Sequence, residues 1–201
     1  MLEQPEHLTF IMSDYPVGAE EQYQIDVGLV DLPSDVGTGR GLQYYAFNYS
    51  DDIDSNLIWS LDASAGLAPS TTYTITSTFS FYSNAPIGCA GVGGGPDGVW
   101  PALCASADPD ADVRIVDNLN HWRLPLGSRE GNCGLAGDIG TAGTDCFNAN
   151  PWSLETRTSD PIEIETAADG SLLISLSTHS GFESDSRFYY RNVEITLTPK
   201  P

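Results

Sequence analysis

The sequence predicts an all-β protein: an antiparallel β-sandwich carrying a long, disulfide-tied, glycine-rich loop excursion. Three observations predict it. Apolar residues alternate with polar ones in several short runs, the period of two expected of half-buried strands. Twenty glycines and 13 prolines punctuate those runs and leave little room for long helices. Four cysteines fall inside one loop-rich middle segment.

The clearest strand runs from Thr72 to Tyr82. Tyr73, Ile75, Phe79 and Phe81 share one face, and Thr72, Thr74, Thr76, Thr78 and Ser80 the other. Leu172, Ile174 and Leu176 alternate with Ser175 and Ser177. Arg187 to Leu197 is long and rich in aromatic and β-branched residues. Weaker strand signals cover His7–Met12, Gln22–Val30, Leu42–Tyr49, Asn56–Leu61, Val113–Asp117, His121–Leu126 and Ile162–Glu165. Turn chemistry separates them at Pro33-Ser34-Asp35, Ala168-Asp169-Gly170 and His179-Ser180-Gly181. About ten short strands so spaced suit a sandwich or jelly roll. With 201 residues, residues 1–201 are read as one β-sandwich domain, with 84–151 as the excursion within it.

The charge excludes whole classes of partner. Twenty-eight acidic residues face eight basic ones, a net charge of −20, and the only lysine is Lys200. Such a chain repels phosphate backbones and anionic membrane surfaces, so neither nucleic acid nor a lipid surface is expected. No apolar run is long enough to span a bilayer. The acidic start Met1 to Glu6 lacks the pattern of an export signal. The cysteines still point to an oxidising compartment, so Met1 is read as a start left after signal removal, and the protein as secreted, periplasmic or on the cell surface.

Cys89 and Cys104 are 15 residues apart, and Cys133 and Cys146 are 13 apart. Neither spacing suits zinc, and disulfides are expected instead. Of the three possible connectivities the local one, Cys89 with Cys104 and Cys133 with Cys146, is favoured because each bond closes a short glycine-rich loop.

Several segments carry a resemblance: Ser13-Asp14-Tyr15-Pro16, Asn48-Tyr49-Ser50-Asp51-Asp52, Pro69 to Tyr73, Ser83 to Pro86 with Cys89 and Gly91-Val92-Gly93-Gly94, and Ser180 to Glu183 followed by Phe188-Tyr189-Tyr190. Together they resemble a family of uncharacterised secreted or lipoprotein-type bacterial β-sandwich proteins, which brings no assigned activity with it. The ending Phe188 to Leu197 is similar to the last strand of jelly-roll carbohydrate-binding modules. Those often place aspartates there, near a structural calcium; here Arg191 and Asn192 take those places.

Two acidic clusters have the alternate spacing that lets oxygen ligands wrap a hard cation: Asp52, Asp54 and Asn56, and Asp108, Asp110 and Asp112. Calcium is the cation they would take. The second departs from a helix-loop-helix calcium loop, with Val113 at the sixth position and Leu119 at the twelfth. Glu163 and Glu165 share a strand face, the arrangement a glycosidase pair would need, yet Ile162 and Ile164 turn the acids toward solvent. There is no nucleophile elbow, and His7, His121 and His179 follow no metal spacing. Gly91 to Gly95 lacks the lysine of a phosphate loop. Asn48-Tyr49-Ser50 matches a glycosylation tripeptide, a pattern common by chance.

Aromatics give the remaining lead. Trp100, Trp122 and Trp152, with Arg123 and Arg129, lie in or beside the excursion. Aromatic faces stack on sugar rings and arginines bond hydroxyls; the same tryptophans could equally form a small core under the loop. The functional expectation is a non-catalytic, secreted or surface binding protein for a glycan, stabilised by calcium. A self-assembling structural protein and a glycan hydrolase are the alternatives.

Overall fold

A computed structural model describes residues 8–49, 53–108, 110–111, 113–126, 132–142 and 145–201. The strands are β1 (Leu8–Ser13), β2 (Tyr15–Pro16), β3 (Asp26–Asp31), β4 (Arg40–Phe47), β5 (Ile53–Leu61), β6 (Thr72–Ser83), β7 (Val99–Ser106), β8 (Ile115–Val116), β9 (His121–Arg123), β10 (Cys133–Leu135), β11 (Ser153–Thr158), β12 (Ile162–Glu165), β13 (Leu172–Ser180) and β14 (Asp185–Pro199). One short 3-10 turn, Ala63–Ala65, is the only helical element among the described residues. The Asp62 side chain caps it by accepting from the Ser64 amide.

Two antiparallel sheets face each other. Sheet I has the order β1-β5-β13-β7-β10. Sheet II has the order β11-β6-β14-β4-β3, with β12 also on β6. The chain crosses between sheets at β4 to β5, β5 to β6 and β13 to β14, the crossing pattern of a sandwich. Alternation decides what is buried. Phe79 and Phe81 of β6 meet Phe188 and Tyr190 of β14 and Tyr44 of β4, and all are buried against Ile53, Leu57 and Leu176 of sheet I. Tyr44 stacks on Phe188 at 4.7 Å, and Tyr190 meets Phe188 edge-on at 5.1 Å. The Tyr190 hydroxyl bonds Thr178 Oγ1 across the sandwich at 2.7 Å. Burial pushes the Tyr44 and Tyr190 phenols well above their ordinary range.

Sheet I is buried on both faces. Every residue of β13 is buried, because a third sheet, β2-β9-β8, and the segment around Leu124 and Leu126 lie over its outer side. That second cover explains one difference from the sequence expectation. β7, inside the 84–151 segment, is a core strand of sheet I, so the excursion enters the sandwich as well as looping from it. A strand buried on both faces shows no alternation, and Pro101 and the small residues hid it further. β11 was also unforeseen; its one large apolar residue, Leu154, is exposed on an edge strand.

The cysteine pairing differs too. The bonds join Cys89 to Cys146 and Cys104 to Cys133, not the local pairs. Strand register is the reason. Cys104 and Cys133 stand directly opposite one another on β7 and β10, with Cα atoms 4.2 Å apart. Cys89 and Cys146 close the mouth of the excursion, beside the bridge Pro86 to Thr141, at 5.6 Å. The glycine run packs on the turn before β14. Gly93 has φ +70°, a Cβ there would strike the Gly181 carbonyl, and the Glu183 amide donates to the Val92 carbonyl.

Candidate functional site

On the outer face of sheet I the predicted site residues are spent on structure. Trp122 on β9 is half-buried against the main core, and the Arg114 guanidinium lies 3.9 Å from its ring centroid. Arg114 is itself fixed, donating to the Met12 carbonyl and the Tyr15 hydroxyl. Arg123 is held by Asp14 on one side and by Asp117 at 2.7 Å on the other. Both groups tie the covering sheet to β1 and β2. Trp100 lies on β7 opposite His179 and is 37% exposed. Arg129 lies outside the described residues.

The first acidic cluster is likewise absorbed. Asp54 and Asn56 share one face of β5, under the cover. Asp54 Oδ1 meets His179 Nδ1 at 2.8 Å, and both residues are buried. Asn56 donates to Ser13 Oγ and the Ile11 carbonyl and accepts from Ser177, which bonds Ser175 at 2.7 Å. This buried polar ladder uses the oxygens that a cation would need. Asp52 lies outside the described residues. Asp108 and Asp110 sit in an exposed turn, where Asp108 Oδ1 accepts from the Asp110 amide; Asp112 lies outside the described residues. Among the described residues no three His, Cys, Asp or Glu side chains are grouped to hold a metal ion. Glu163 and Glu165 are exposed, and Lys200 pairs with Glu163 at 2.8 Å. Asn48 is 1% exposed, with its side-chain nitrogen donating to the Ser180 carbonyl. Attachment of a glycan there would require unfolding this end of the sandwich.

Sheet II presents a different surface. A cleft of about 470 Å³ opens at the end of its outer face, between β14, β4 and the loops at 84–86 and 145–150. That volume lies within the range of small-ligand sites. Arg187 and Tyr45 are register partners on β14 and β4, and the guanidinium sits 4.4 Å from the Tyr45 ring centroid. Arg187 has no carboxylate partner among the described residues, in a chain with 28 acids. It also approaches Tyr189, whose phenol is raised by burial and partly drawn back by Arg187. Trp152 lines the cleft and meets Tyr189 edge-on at 5.3 Å.

The deepest wall is formed by Ala85, Ile139 and Ser186. Ser186 is 5% exposed and its hydroxyl has no hydrogen-bond partner. Asp145 organises the facing loop. Its carboxylate accepts from the Phe147 amide and the Asn148 side chain, and its carbonyl accepts from Asn150. These bonds, the Phe147 amide first, hold the Asp145 carboxyl below its ordinary range. They also leave Phe147 95% exposed at the loop tip.

Of the predicted ligand residues that are described, the structure brings only Trp152 to this cleft. Trp122 and Arg123 stand over the other sheet. Sequence reasoning missed Tyr45, Asn84, Asn148, Asn150, Asp185, Ser186 and Arg187. The outward parity of Arg187 on its strand was available, and so was the Asn-rich run after Cys146. The convergence of six chain segments was not.

No family model matches the chain, and no curated protein matches its sequence. Solved structures are similar in outline. One is a carbohydrate-binding module described as promiscuous in specificity, 12% identical, covering 96% of this chain and 58% of that one, with a TM-score of 0.40. A second was solved in complex with beta-1,4-galactotriose, 12% identical over 94% of this chain and 88% of that one, with a TM-score of 0.38. A third is the K1 cleaved adhesin domain of Lys-gingipain from Porphyromonas gingivalis W83, 13% identical over 96% and 91%, with a TM-score of 0.39. This chain thus spans a little over half the length of the first. No helix among the described residues is long and apolar enough to cross a membrane. The two disulfides fit an oxidising environment.

Proposed function

We propose that the chain is a non-catalytic binding module that takes a hydroxyl-rich ligand, a glycan, in the cleft on the outer face of sheet II. The observation that carries this reading is Arg187, laid against the Tyr45 ring at the cleft with no carboxylate partner among the described residues. Around it stand the groups a sugar ring uses. Trp152 and Tyr45 offer aromatic surface, Arg187 offers donors, and Asn84 and Asn148 offer amides. The cleft also holds Asp145 and Asp185 against one arginine, so its ligand is a neutral glycan.

Titration of a panel of neutral oligosaccharides against tryptophan fluorescence, with calorimetry as a second readout, tests the reading. Saturable binding that is lost in Trp152→Ala supports it. Absence of binding by every sugar at millimolar concentration overturns it. Calcium at the Asp108, Asp110 and Asp112 turn rests on residue type and spacing alone, and a melting temperature unchanged by calcium and by chelator removes it. Secretion, the compartment in which a glycan would be met, is part of the same proposal.

A further inference from the structure

A second feature lies at the opposite corner of the sandwich from the cleft's loops, where the two sheets fail to close. β4 leaves β14 after the pair Leu42 and Tyr190. A register shift follows at Arg191, whose guanidinium donates to the Arg40 carbonyl where β4 begins. Beyond it β14 continues to Pro199, paired to β6 on one side only. Its other edge, from Asn192 onward, has no strand partner among the described residues. In sheet I, Leu8 with Trp59 is the last pair of β1 and β5 among the described residues, and β5 itself continues through Ser60 and Leu61.

Between these two strands lies a hollow of about 210 Å³ lined by Trp59, Leu61, Ile174, Val193, Ile195 and Leu197. Every lining side chain is apolar. Five of the six are only half-buried, although their parity on β5 and β14 points them inward. Alternation has thus placed core-facing residues where the described residues cover them only in part. The hollow exceeds the ~150 Å³ that an engineered apolar cavity needs to take up benzene, so it accepts a branched aliphatic side chain.

We propose that this corner is a strand-addition site, and that its occupant is an extended, basic peptide segment of a partner protein. The bare edge of β14 selects an extended chain, because only a strand can satisfy a row of alternate backbone donors and acceptors. The hollow selects apolar side chains at every second position of that strand. Charge selects the partner. Glu194 is exposed along the edge, Asp62 follows β5, and the chain carries −20 overall. A second copy carries the same charge and is repelled, whereas lysine or arginine flanking the apolar positions is attracted. This inference is independent of the glycan cleft.

The experiment uses the full chain and a synthetic peptide of about eight residues, the length of an ordinary strand, with valine at alternate positions, threonine between and lysine at both ends. Hydrogen exchange is followed across Asn192 to Thr198, with and without peptide. The expected result is a slowing of about tenfold or more in the amides of that edge. A peptide of scrambled order, one N-methylated along a single edge and one flanked by glutamate give no slowing. Glu194→Lys, an exposed change that leaves the melting temperature unaltered, weakens the lysine peptide several-fold. No protection by the alternating peptide overturns the proposal. Equal binding of the N-methylated peptide overturns strand addition. Protection of the same amides in the protein alone at high concentration, together with dimers in sedimentation, overturns the choice of occupant in favour of a second copy.

Discussion

The outer faces of the two sheets draw on the same residue types and use them in opposite ways. On sheet I a tryptophan and an arginine, Trp122 and Arg123, are consumed. The ring is covered by Arg114, and the guanidinium lies between Asp14 and Asp117. On sheet II a tryptophan and an arginine, Trp152 and Arg187, line an open cleft, and the arginine rests on an aromatic ring with no acid paired to it among the described residues. Residue type alone does not mark a binding group. What marks it is a donor or ring left unsatisfied where solvent can reach. The contrast also separates the two roles of the excursion. Its middle, around β9 and Leu124, seals one sheet, while its end, from Asp145 to Trp152, builds a wall of the cleft on the other.

The contrast can be broken from the sealed side first. Replacing both Cys104 and Cys133 by serine removes the bond that pins β10 to β7, and closing a loop of this size contributes about 3 kcal/mol. Chemical denaturation is expected to show that loss, with glycan affinity at 25 °C within twofold of the parent where the variant is still folded. Next comes Asn56→Ala, which strips partners from Ser13 and Ser177 inside the buried ladder. It is expected to lower stability by about 2 kcal/mol in the same assay, again without effect on binding. A smaller change follows from Arg123→Ala, which frees Asp14 and Asp117 at a partly exposed pair and is expected to cost about 1 kcal/mol.

Acid tests the open side. The folded-state Asp145 carboxyl lies below its unfolded value because the Phe147 amide and then Asn148 bond its charged form. Its contribution to loop order is therefore present above the unfolded value of about 3.9 and is lost as pH falls through the lower folded value. Glycan affinity is expected to hold from neutrality down to about pH 5 and to fall below pH 4. An affinity unchanged at pH 3 would detach the loop from the site.

Much of the frame is legible in the sequence, and the reasons are local. Thr72 to Ser83 and the second half of β14, Arg191 to Thr198, alternate because each has one buried and one open face. β7 escapes because both its faces are covered, so its residues read as a short mixed run around Pro101. The disulfide partners escape because they are set by the register of β7 on β10, a long-range fact that cysteine spacing does not encode. The site is less legible still. Trp152 is conspicuous as a residue type, whereas Tyr45, Asn84 and Arg187 are ordinary in sequence and acquire their meaning only when β4, β14 and several loops converge. Asp54 and Asn56 show how much spacing leaves open: a spacing that suits a cation is also one face of a buried strand, where both side chains have protein partners.

The most direct measurement compares the two arginines in one experiment. Glycan titrations of Arg187→Ala and Arg123→Ala, each paired with its melting curve, set the open side against the sealed one. The account predicts that Arg187→Ala melts with the parent and loses at least about tenfold in affinity, about 1.4 kcal/mol, while Arg123→Ala melts earlier and binds as the parent does. Binding that survives Arg187→Ala and disappears with Arg123→Ala would contradict it.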